Sequence, residues 1–238
     1  MEDSNVLPDV FLVPGLLCDH RLWAAQTEAL AGSARSRTAD LTACESIAAM
    51  AEAVLSQAPA RFAMAGFSMG GCVALEVVGR APDRVCRLAL LSTSAGGLLP
   101  QVRRRFQDSI TGIEAGGLDD YLEDAFPSYV APERIYDRAL RETFANMGKS
   151  LGPAVAVRQM RALLEYRGFG GCLGRIACPT VVICGREDRH TPVAAHEELA
   201  TLIPGARIRV IERAGHFTPL EDPEAVTEAL RGWLQAPV

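Results

Sequence analysis

Ser68 lies in a short stretch whose residue types suit nucleophilic chemistry. The stretch Gly66-Phe67-Ser68-Met69-Gly70 joins one apolar run to another. Glycine two positions before and two positions after a serine permits a sharp, strained turn from strand to helix, which leaves the hydroxyl exposed. The spacing therefore predicts that Ser68 is a nucleophile, with the N–H of Met69 directed at an oxyanion that forms beside it.

The base that such a serine requires is sought among four histidines. A serine hydroxyl is a weak nucleophile until a base removes its proton. His216 lies in a glycine-flanked loop directly after a predicted strand, at the sheet edge where Ser68 is also expected. His20 lies on the first loop, His190 near another strand end, and His196 inside a predicted helix. We therefore expect His216 to be the base.

The carboxylate that orients the base is predicted just past the strand over 180–185. Asp188 is favoured because a short carboxylate held by a turn orients an imidazole better than a longer one, and Glu187 beside it remains an alternative. The loop after the strand over 86–93 contains no acidic residue. The expected arrangement is thus a Ser-His-Asp triad in which Asp188 follows the serine and precedes the histidine.

The segments around these residues alternate between strand and helix patterns. Predicted strands cover 9–15, 34–40, 61–66, 86–93, 180–185 and 206–212. Predicted helices cover 21–32, 44–58, 69–80, 193–203 and 222–234. Strands that are apolar throughout and alternate with helices are typical of a parallel sheet covered on both faces, so we expect an α/β fold.

The alternation stops between about residues 97 and 175. Helical patterns occur there over about 102–111, 118–125, 133–148 and 153–166, without a strand pattern between them. We therefore expect 1–96 and 176–238 to form the core and 97–175 to form a helical insertion.

Composition is that of an ordinary globular protein and excludes several classes. The chain has 238 residues, 49% of them hydrophobic, and a formal net charge of −5, so a nucleic-acid partner is not expected. The seven cysteines show no Cys-x-x-Cys spacing, which argues against a disulfide framework and a zinc site. Neither a signal peptide nor a membrane span is recognisable, and we expect a cytoplasmic protein. Nothing in the sequence indicates the oligomeric state.

The order Ser68, Asp188, His216 resembles that of the α/β-hydrolase superfamily, and the chain is similar to its small, capped, esterase-like branch. The matching segments, in order, are FLVPGLLCDHRLW, GFSMGG, CPTVVICGREDRHTP and AGHFTPLEDPEAV. The resemblance implies a three-layer α/β-hydrolase fold in which residues 97–175 form a cap over the active site. Only about eight residues precede the first strand, so two N-terminal strands common in the family are not expected. A mostly parallel sheet of about six strands remains.

The resemblance also implies an oxyanion hole. The first-loop signature of the family is usually His-Gly followed by the residue that supplies a backbone N–H, whereas Pro14-Gly15 precedes Leu16 in this chain. The implied donors are therefore the backbone N–H groups of Leu16 and Met69.

Together these residues predict a serine hydrolase that cleaves a carboxylic ester, thioester or lactone through an acyl-enzyme, with no metal or organic cofactor. Leu17, Phe67 and Phe217 flank the predicted site and indicate an apolar pocket for a small-molecule substrate, which His190 could also line. Serine at the turn argues against the epoxide hydrolases and haloalkane dehalogenases of the same fold, because those enzymes need an aspartate there.

Other functions remain open at this point. Carbon–carbon bond hydrolysis and proton-abstraction lyase chemistry could use the same triad, and a ligand-binding receptor could keep the fold with little turnover. Six arginines in the insertion could meet an acidic acyl or carrier group, although solvated helix faces explain them more simply. They are Arg103, Arg104, Arg134, Arg138, Arg158 and Arg161.

Overall fold

The computed structural model describes residues 7–237 and contains one sheet of six strands, all of them parallel. The strands are β1 (Asp9–Val13), β2 (Arg35–Thr38), β3 (Phe62–Phe67), β4 (Val85–Leu91), β5 (Thr180–Gly185) and β6 (Arg207–Ile211). The expected α/β fold with a parallel six-stranded sheet is confirmed. Residues 1–6, on which the expectation about a signal peptide depends, lie outside the described residues.

Helices flank this sheet and connect its strands. They are α1 (Ala24–Leu30), α2 (Ile47–Gln57), α3 (Met69–Arg80), α4 (Pro100–Glu114), α5 (Leu118–Tyr129), α6 (Arg138–Glu165), α7 (Val193–Leu202), α8 (Thr218–Glu221) and α9 (Pro223–Leu234). Every residue of β3 and β5 is buried. Because successive side chains of a strand point to opposite faces, burial of all of them shows that both faces of the sheet are covered.

The strand order is β2-β1-β3-β4-β5-β6, so β3, which the predicted nucleophile Ser68 follows, lies in the interior of the sheet. β1 pairs with β2 on one side and with β3 on the other, so the direction of winding reverses at β1. In parallel sheets the crevice outside the carboxyl ends of the strands at such a reversal is the usual place for a ligand. The loops after β1, β3, β5 and β6 all reach this edge.

The segment between β4 and β5 is helical, and its helices α4, α5 and α6 pack against one another. The two patterns expected over 133–148 and 153–166 merge into α6, which is broken at Gly152 (φ 80°, ψ 171°). The break has a local cause, because Pro153 cannot donate a helical hydrogen bond and glycine adopts positive φ without strain. Among the described residues, no helix has the length and apolarity needed to cross a membrane.

Candidate active site

Ser68 occupies a strained turn between β3 and α3. Its φ is 52° and its ψ is −115°, a conformation that few residues other than glycine adopt, and its N–H donates to Leu91 O at 2.9 Å. A Cβ added to Gly66 would lie 2.3 Å from Gly70 O, and one added to Gly70 would lie 2.2 Å from Val13 O. Both glycines are therefore required for the backbone to pass this closely, as the spacing predicts.

The loop after β6 brings His216 to this turn. His216 Nε2 lies 2.9 Å from Ser68 Oγ, and His216 Nδ1 lies 2.9 Å from Asp188 Oδ2. The imidazole and the carboxylate are both buried. Three side chains that are far apart in the sequence thus form one continuous chain of hydrogen bonds.

Asp188 is held by the turn that follows β5. Its carboxylate accepts hydrogen bonds from the N–H groups of His190 (2.8 Å) and Thr191 (2.9 Å) and from the Thr191 hydroxyl (2.7 Å). Burial acts to raise the pKa of this carboxyl, but the neighbouring His216 and the donors of Thr191 outweigh it and hold the pKa well below its usual value. Glu187, the alternative left open by the sequence, is exposed to solvent.

The backbone of the histidine loop is bonded to the end of α5. The N–H groups of His216 and Phe217 both donate to Tyr129 O, at 2.8 and 3.2 Å. The Tyr129 ring also packs against both residues, with ring centroids 5.6 Å from His216 and 5.2 Å from Phe217. The position of the imidazole therefore depends on a helix of the segment between β4 and β5.

Glu221 forms a second bridge between the same two parts. Its buried carboxylate accepts the N–H of Gly215 at 2.9 Å and the N–H of Ala131 at 2.7 Å. Burial raises the pKa of Glu221, although these two hydrogen bonds and the nearby Arg134 act in the opposite direction. One side chain thus connects the residue before His216 to the chain that leaves α5.

The two expected oxyanion donors lie on different elements, Leu16 on the loop after β1 and Met69 at the first residue of α3. Among the described residues, the N–H groups of Leu16 and Met69 have no hydrogen-bond partner, and both residues line the cavity at the site. The neighbouring Leu17 (φ 55°) donates its N–H to Oε1 of the buried Gln159 on α6, at 2.9 Å. Gln159 on α6 therefore holds the loop after β1 at the residue next to Leu16.

His190 lies beside the triad but outside its chain of hydrogen bonds. Its Nε2 is 3.1 Å from Ser128 Oγ, its ring stacks on Tyr129 at 4.3 Å, and its centroid is 5.1 Å from that of His216. Burial, with a further contribution from His216, lowers the pKa of His190 to about 3. The imidazole of His190 is therefore uncharged at physiological pH, and it lines the site.

The remaining two histidines have no place in the triad. His196 is fully buried, and its Nε2 accepts the N–H of Thr93 at 3.0 Å while its Nδ1 lies 3.2 Å from Pro192 O. The His20 side chain is 78% exposed to solvent. Within residues 7–237, no group of three or more His, Cys, Asp or Glu side chains is placed to hold a metal ion.

A cavity of about 380 Å³ opens above the triad. Of the residues expected in a pocket, Phe67, Phe217 and His190 line it. Leu17 does not line the cavity, and its side chain belongs to the hydrophobic core instead. Further lining residues are Leu16, Met69, Cys72, Ser94, Leu98, Leu99, Val102, Phe106, Tyr129, Leu163, Tyr166, Ala195, Glu198, Leu199 and Leu202.

None of the six arginines singled out from the sequence lines this cavity. Arg103 donates to Leu164 O at 2.6 Å, Arg158 donates to Thr42 O, and Arg161 pairs with Glu114 at 2.6 Å. These contacts connect helices to each other and to the core.

Sequence reasoning missed three residues that hold the site together, namely Tyr129, Gln159 and Glu221. The partners of Gln159 and Tyr129 are 142 and 87 positions away, at Leu17 and His216. A polar residue at a core-facing helix position is the only local signal for Gln159. Such a signal shows that a partner is needed but does not identify it.

The sequence is similar to a known protein family and to known enzymes. The Alpha/beta hydrolase family matches residues 10–229. The chain is 29% identical to the pimeloyl-[acyl-carrier protein] methyl ester esterase of Aromatoleum aromaticum, over 91% of this chain and 94% of that protein.

Solved structures also have the fold of this chain. An esterase from Thermogutta terrifontis aligns with a TM-score of 0.87 at 26% identity, covering 98% of this chain and 92% of that chain. The enol-lactonase of Burkholderia xenovorans also aligns at 0.87, with 22% identity, over 99% of this chain and 94% of that chain, and supports the fold alone. With the family match spanning nearly the whole sequence, the chain belongs to the alpha/beta hydrolase family.

Proposed function

We propose that this protein is a serine hydrolase that cleaves carboxylic esters, including thioesters and lactones, through an acyl-enzyme. The observation that carries the proposal is the unbroken chain Ser68 Oγ–His216–Asp188, with both contacts at 2.9 Å, at the floor of an apolar cavity. A buried imidazole with a carboxylate on one nitrogen and a serine hydroxyl on the other is suited to proton transfer from that hydroxyl.

The first half of the reaction forms the acyl-enzyme. Ser68 Oγ attacks the substrate carbonyl carbon while His216 Nε2 accepts its proton, and Asp188 stabilises the resulting imidazolium. The N–H groups of Leu16 and Met69 donate to the oxyanion, which the N-terminus of α3 also stabilises. His216 then gives its proton to the leaving group, at the oxygen of an alcohol or the sulfur of a thiol, as the bond from that atom to the carbonyl carbon breaks.

The second half releases the acid and restores the enzyme. A water molecule attacks the acyl carbon while His216 Nε2 takes one of its protons. The bond to Ser68 Oγ then breaks, and His216 returns the proton to that oxygen. The same oxyanion donors serve both halves, and each step uses only groups of this chain and water.

The segment 97–175 acts as a cap in this proposal, over a core formed by 1–96 and 176–238. Phe106 on α4 and Leu163 near the end of α6 line the cavity, together with Tyr166 just beyond that helix. These side chains cover the triad and reduce the access of water. A drier site strengthens the attraction between the N–H donors and the oxyanion.

The named relatives favour an ester as the substrate. The protein from Aromatoleum aromaticum is described as a methyl ester esterase, and the structure from Thermogutta terrifontis as an esterase. An intact triad beneath a cavity also favours turnover over passive binding. Carbon–carbon bond hydrolysis, lyase chemistry and receptor function have no observation of their own in their favour.

Labelling with a fluorophosphonate probe tests the proposal directly. We expect stoichiometric labelling of the wild type and hydrolysis of short p-nitrophenyl esters, both abolished by Ser68→Ala. Ser94→Ala is the matched control, because Ser94 also lines the cavity but, within residues 7–237, makes no hydrogen bond to Ser68, His216 or Asp188. A folded wild type that neither reacts with the probe nor cleaves any ester would overturn the proposal, and turnover of a vinylogous diketone alone would point to carbon–carbon cleavage.

A further inference from the structure

One face of α7 lines the cavity above the triad. The residues on it are Ala195, Glu198, Leu199 and Leu202, at the spacing of consecutive turns of a helix. Leu99 and Val102 at the start of α4 line the same cavity. The cavity is thus bounded by α7 and by the beginning of the helical segment.

The exposed residues among these identify the opening of the cavity. Leu99 is 57% exposed and Leu202 is 48% exposed, although both belong to the cavity lining. Only four large apolar side chains are exposed among the described residues, by 37% to 89%, and two of the four are these leucines. An apolar rim at the opening indicates that the outer part of the substrate is in contact with apolar side chains.

Glu198 is the one Asp, Glu, Lys or Arg side chain among the described residues that line this cavity. It is exposed, and within residues 7–237 it has neither an ion pair nor a side-chain hydrogen bond. No arginine or lysine lines the cavity, although Arg105 on α4 lies near enough to act electrostatically on the lining residues His190 and Tyr129. The lining therefore carries one negative charge, one helical turn before Leu202 on α7, that has no ion-pair partner within residues 7–237.

We propose that Glu198 determines substrate specificity by selecting against esters with an anionic group at the end that reaches the opening. This inference rests on the proposed ester hydrolysis and names the substrate class for it: esters with a neutral, apolar or cationic outer end. A carboxylate or phosphate there would be repelled by Glu198 and would find no cation in the lining to replace its hydration. A cationic end would be attracted.

The size of the effect follows from the position of Glu198 at the surface. Two unit charges a few ångströms apart near a protein surface change binding by roughly three- to ten-fold, and salt reduces the change. The effect should therefore be visible as a ratio of kcat/KM values. It should become smaller as the ionic strength is raised.

Two series of esters measure it, one with the variable group on the acyl chain and one with it on the alcohol. In each series the outer end is a tert-butyl group, the isosteric trimethylammonium group or a carboxylate. The variants are Glu198→Gln, Glu198→Arg and the matched control Glu197→Gln, which removes the same charge from an exposed neighbour that does not line the cavity. Each charged ester is compared with the neutral ester on the same enzyme.

We expect the wild type to prefer the cationic ester over the anionic one in at least one of the two placements. In that placement Glu198→Gln should shift the ratio about three- to ten-fold towards the anionic ester, Glu198→Arg should shift it further, and Glu197→Gln should leave it nearly unchanged. Equal shifts in Glu198→Gln and Glu197→Gln, or no shift in either placement, would overturn the inference. The neutral ester keeps the two questions apart, because failure to cleave it would instead overturn the proposed function.

Discussion

The serine turn and the histidine loop meet at one hydrogen bond, but different parts of the molecule hold them. The turn is fixed by the sheet: Ser68 N–H donates to Leu91 O on β4, and Gly70 packs against the backbone of Val13 on β1. The histidine loop is fixed largely by the helical segment, through Tyr129 O and through the N–H of Ala131 on Glu221.

This difference separates two properties of the site. The position of the nucleophile depends on contacts within the core, so it should survive changes in the helical segment. The position of the base depends on the interface between core and segment. Substitutions at that interface should therefore reduce the rate of the chemical step while the sheet stays intact.

Asp188→Asn should have the largest effect on activity, because it acts on the base without touching the serine turn. The amide can no longer hold the imidazole in the tautomer that accepts the serine proton, and in a comparable triad this change costs about 10⁴-fold in kcat. We expect a loss of that order in ester hydrolysis, measured by steady-state kinetics. Glu187→Gln is the control, and a similar loss there would show that Asp188 has been assigned the wrong role.

The same carboxylate should also make the fold sensitive to acid. The pKa of Asp188 is lowered in the folded protein, so its stabilisation is complete above the ordinary value of 3.8 and is lost as the pH falls through the lowered value. The free energy of unfolding of the wild type should therefore decline below about pH 4 more steeply than that of Asp188→Asn. Urea unfolding at pH 6 and pH 3 measures this, and parallel declines would contradict it.

Gly70→Ala tests the other side of the comparison, the dependence of the turn on the sheet. The added Cβ would lie 2.2 Å from Val13 O and 2.7 Å from Pro14 O, and backbone atoms cannot move away cheaply. We expect a loss of about 3 kcal/mol in the free energy of unfolding. The control is Gly232→Ala in α9, where a Cβ would have no neighbour within 4 Å and should stabilise by about 0.5–1 kcal/mol. Thermal unfolding of both variants decides the point, and equal melting temperatures would count against it.

The sequence predicts the turn at Ser68 but not the contacts that hold the loop of His216, and the reason for the difference is physical. The conformation of Ser68 is imposed by neighbours two positions away, and strand and helix patterns place it at the correct edge of the sheet. His216 and Asp188 are expected at the same edge because each lies in the loop that follows a strand, and the structure brings them within hydrogen-bond distance of each other. The contact between Glu221 and Ala131 spans 90 positions, and no local pattern encodes a distance of that kind.

Glu221→Gln should weaken the hold on the base while the serine turn stays in place. Glutamine offers one acceptor oxygen where the carboxylate offers two, and its NH₂ group would face the N–H of either Gly215 or Ala131. We expect kcat to fall by about 10- to 100-fold with KM little changed, since a small displacement of a catalytic group has an effect of that size. Glu228→Gln on the exposed face of α9 is the control. A fall in KM and kcat together, or none in either, would mean that Glu221 does not position the base.

Gln159→Leu should have the smallest effect, because it acts on the oxyanion loop only through Leu17. Leucine has a similar volume but no acceptor, so the buried N–H of Leu17 loses its partner, which costs about 1–3 kcal/mol unless the loop moves. Movement of the loop would displace the N–H of Leu16 from the oxyanion. We expect kcat to fall about tenfold, equivalent to about 1.4 kcal/mol of transition-state stabilisation.

The control for this last variant is Gln107→Leu, an exposed glutamine on α4. If the loop has moved, fluorophosphonate labelling of Ser68 should be slowed by a similar factor, because the phosphoryl oxygen of the probe occupies the oxyanion position. Labelling at the wild-type rate, together with a reduced free energy of unfolding, would show that Gln159 stabilises the fold without positioning the oxyanion donors. The helical segment would then position the base but not the oxyanion donors. Its contact with the histidine loop would serve catalysis, whereas its contact with Leu17 would serve only the stability of the fold.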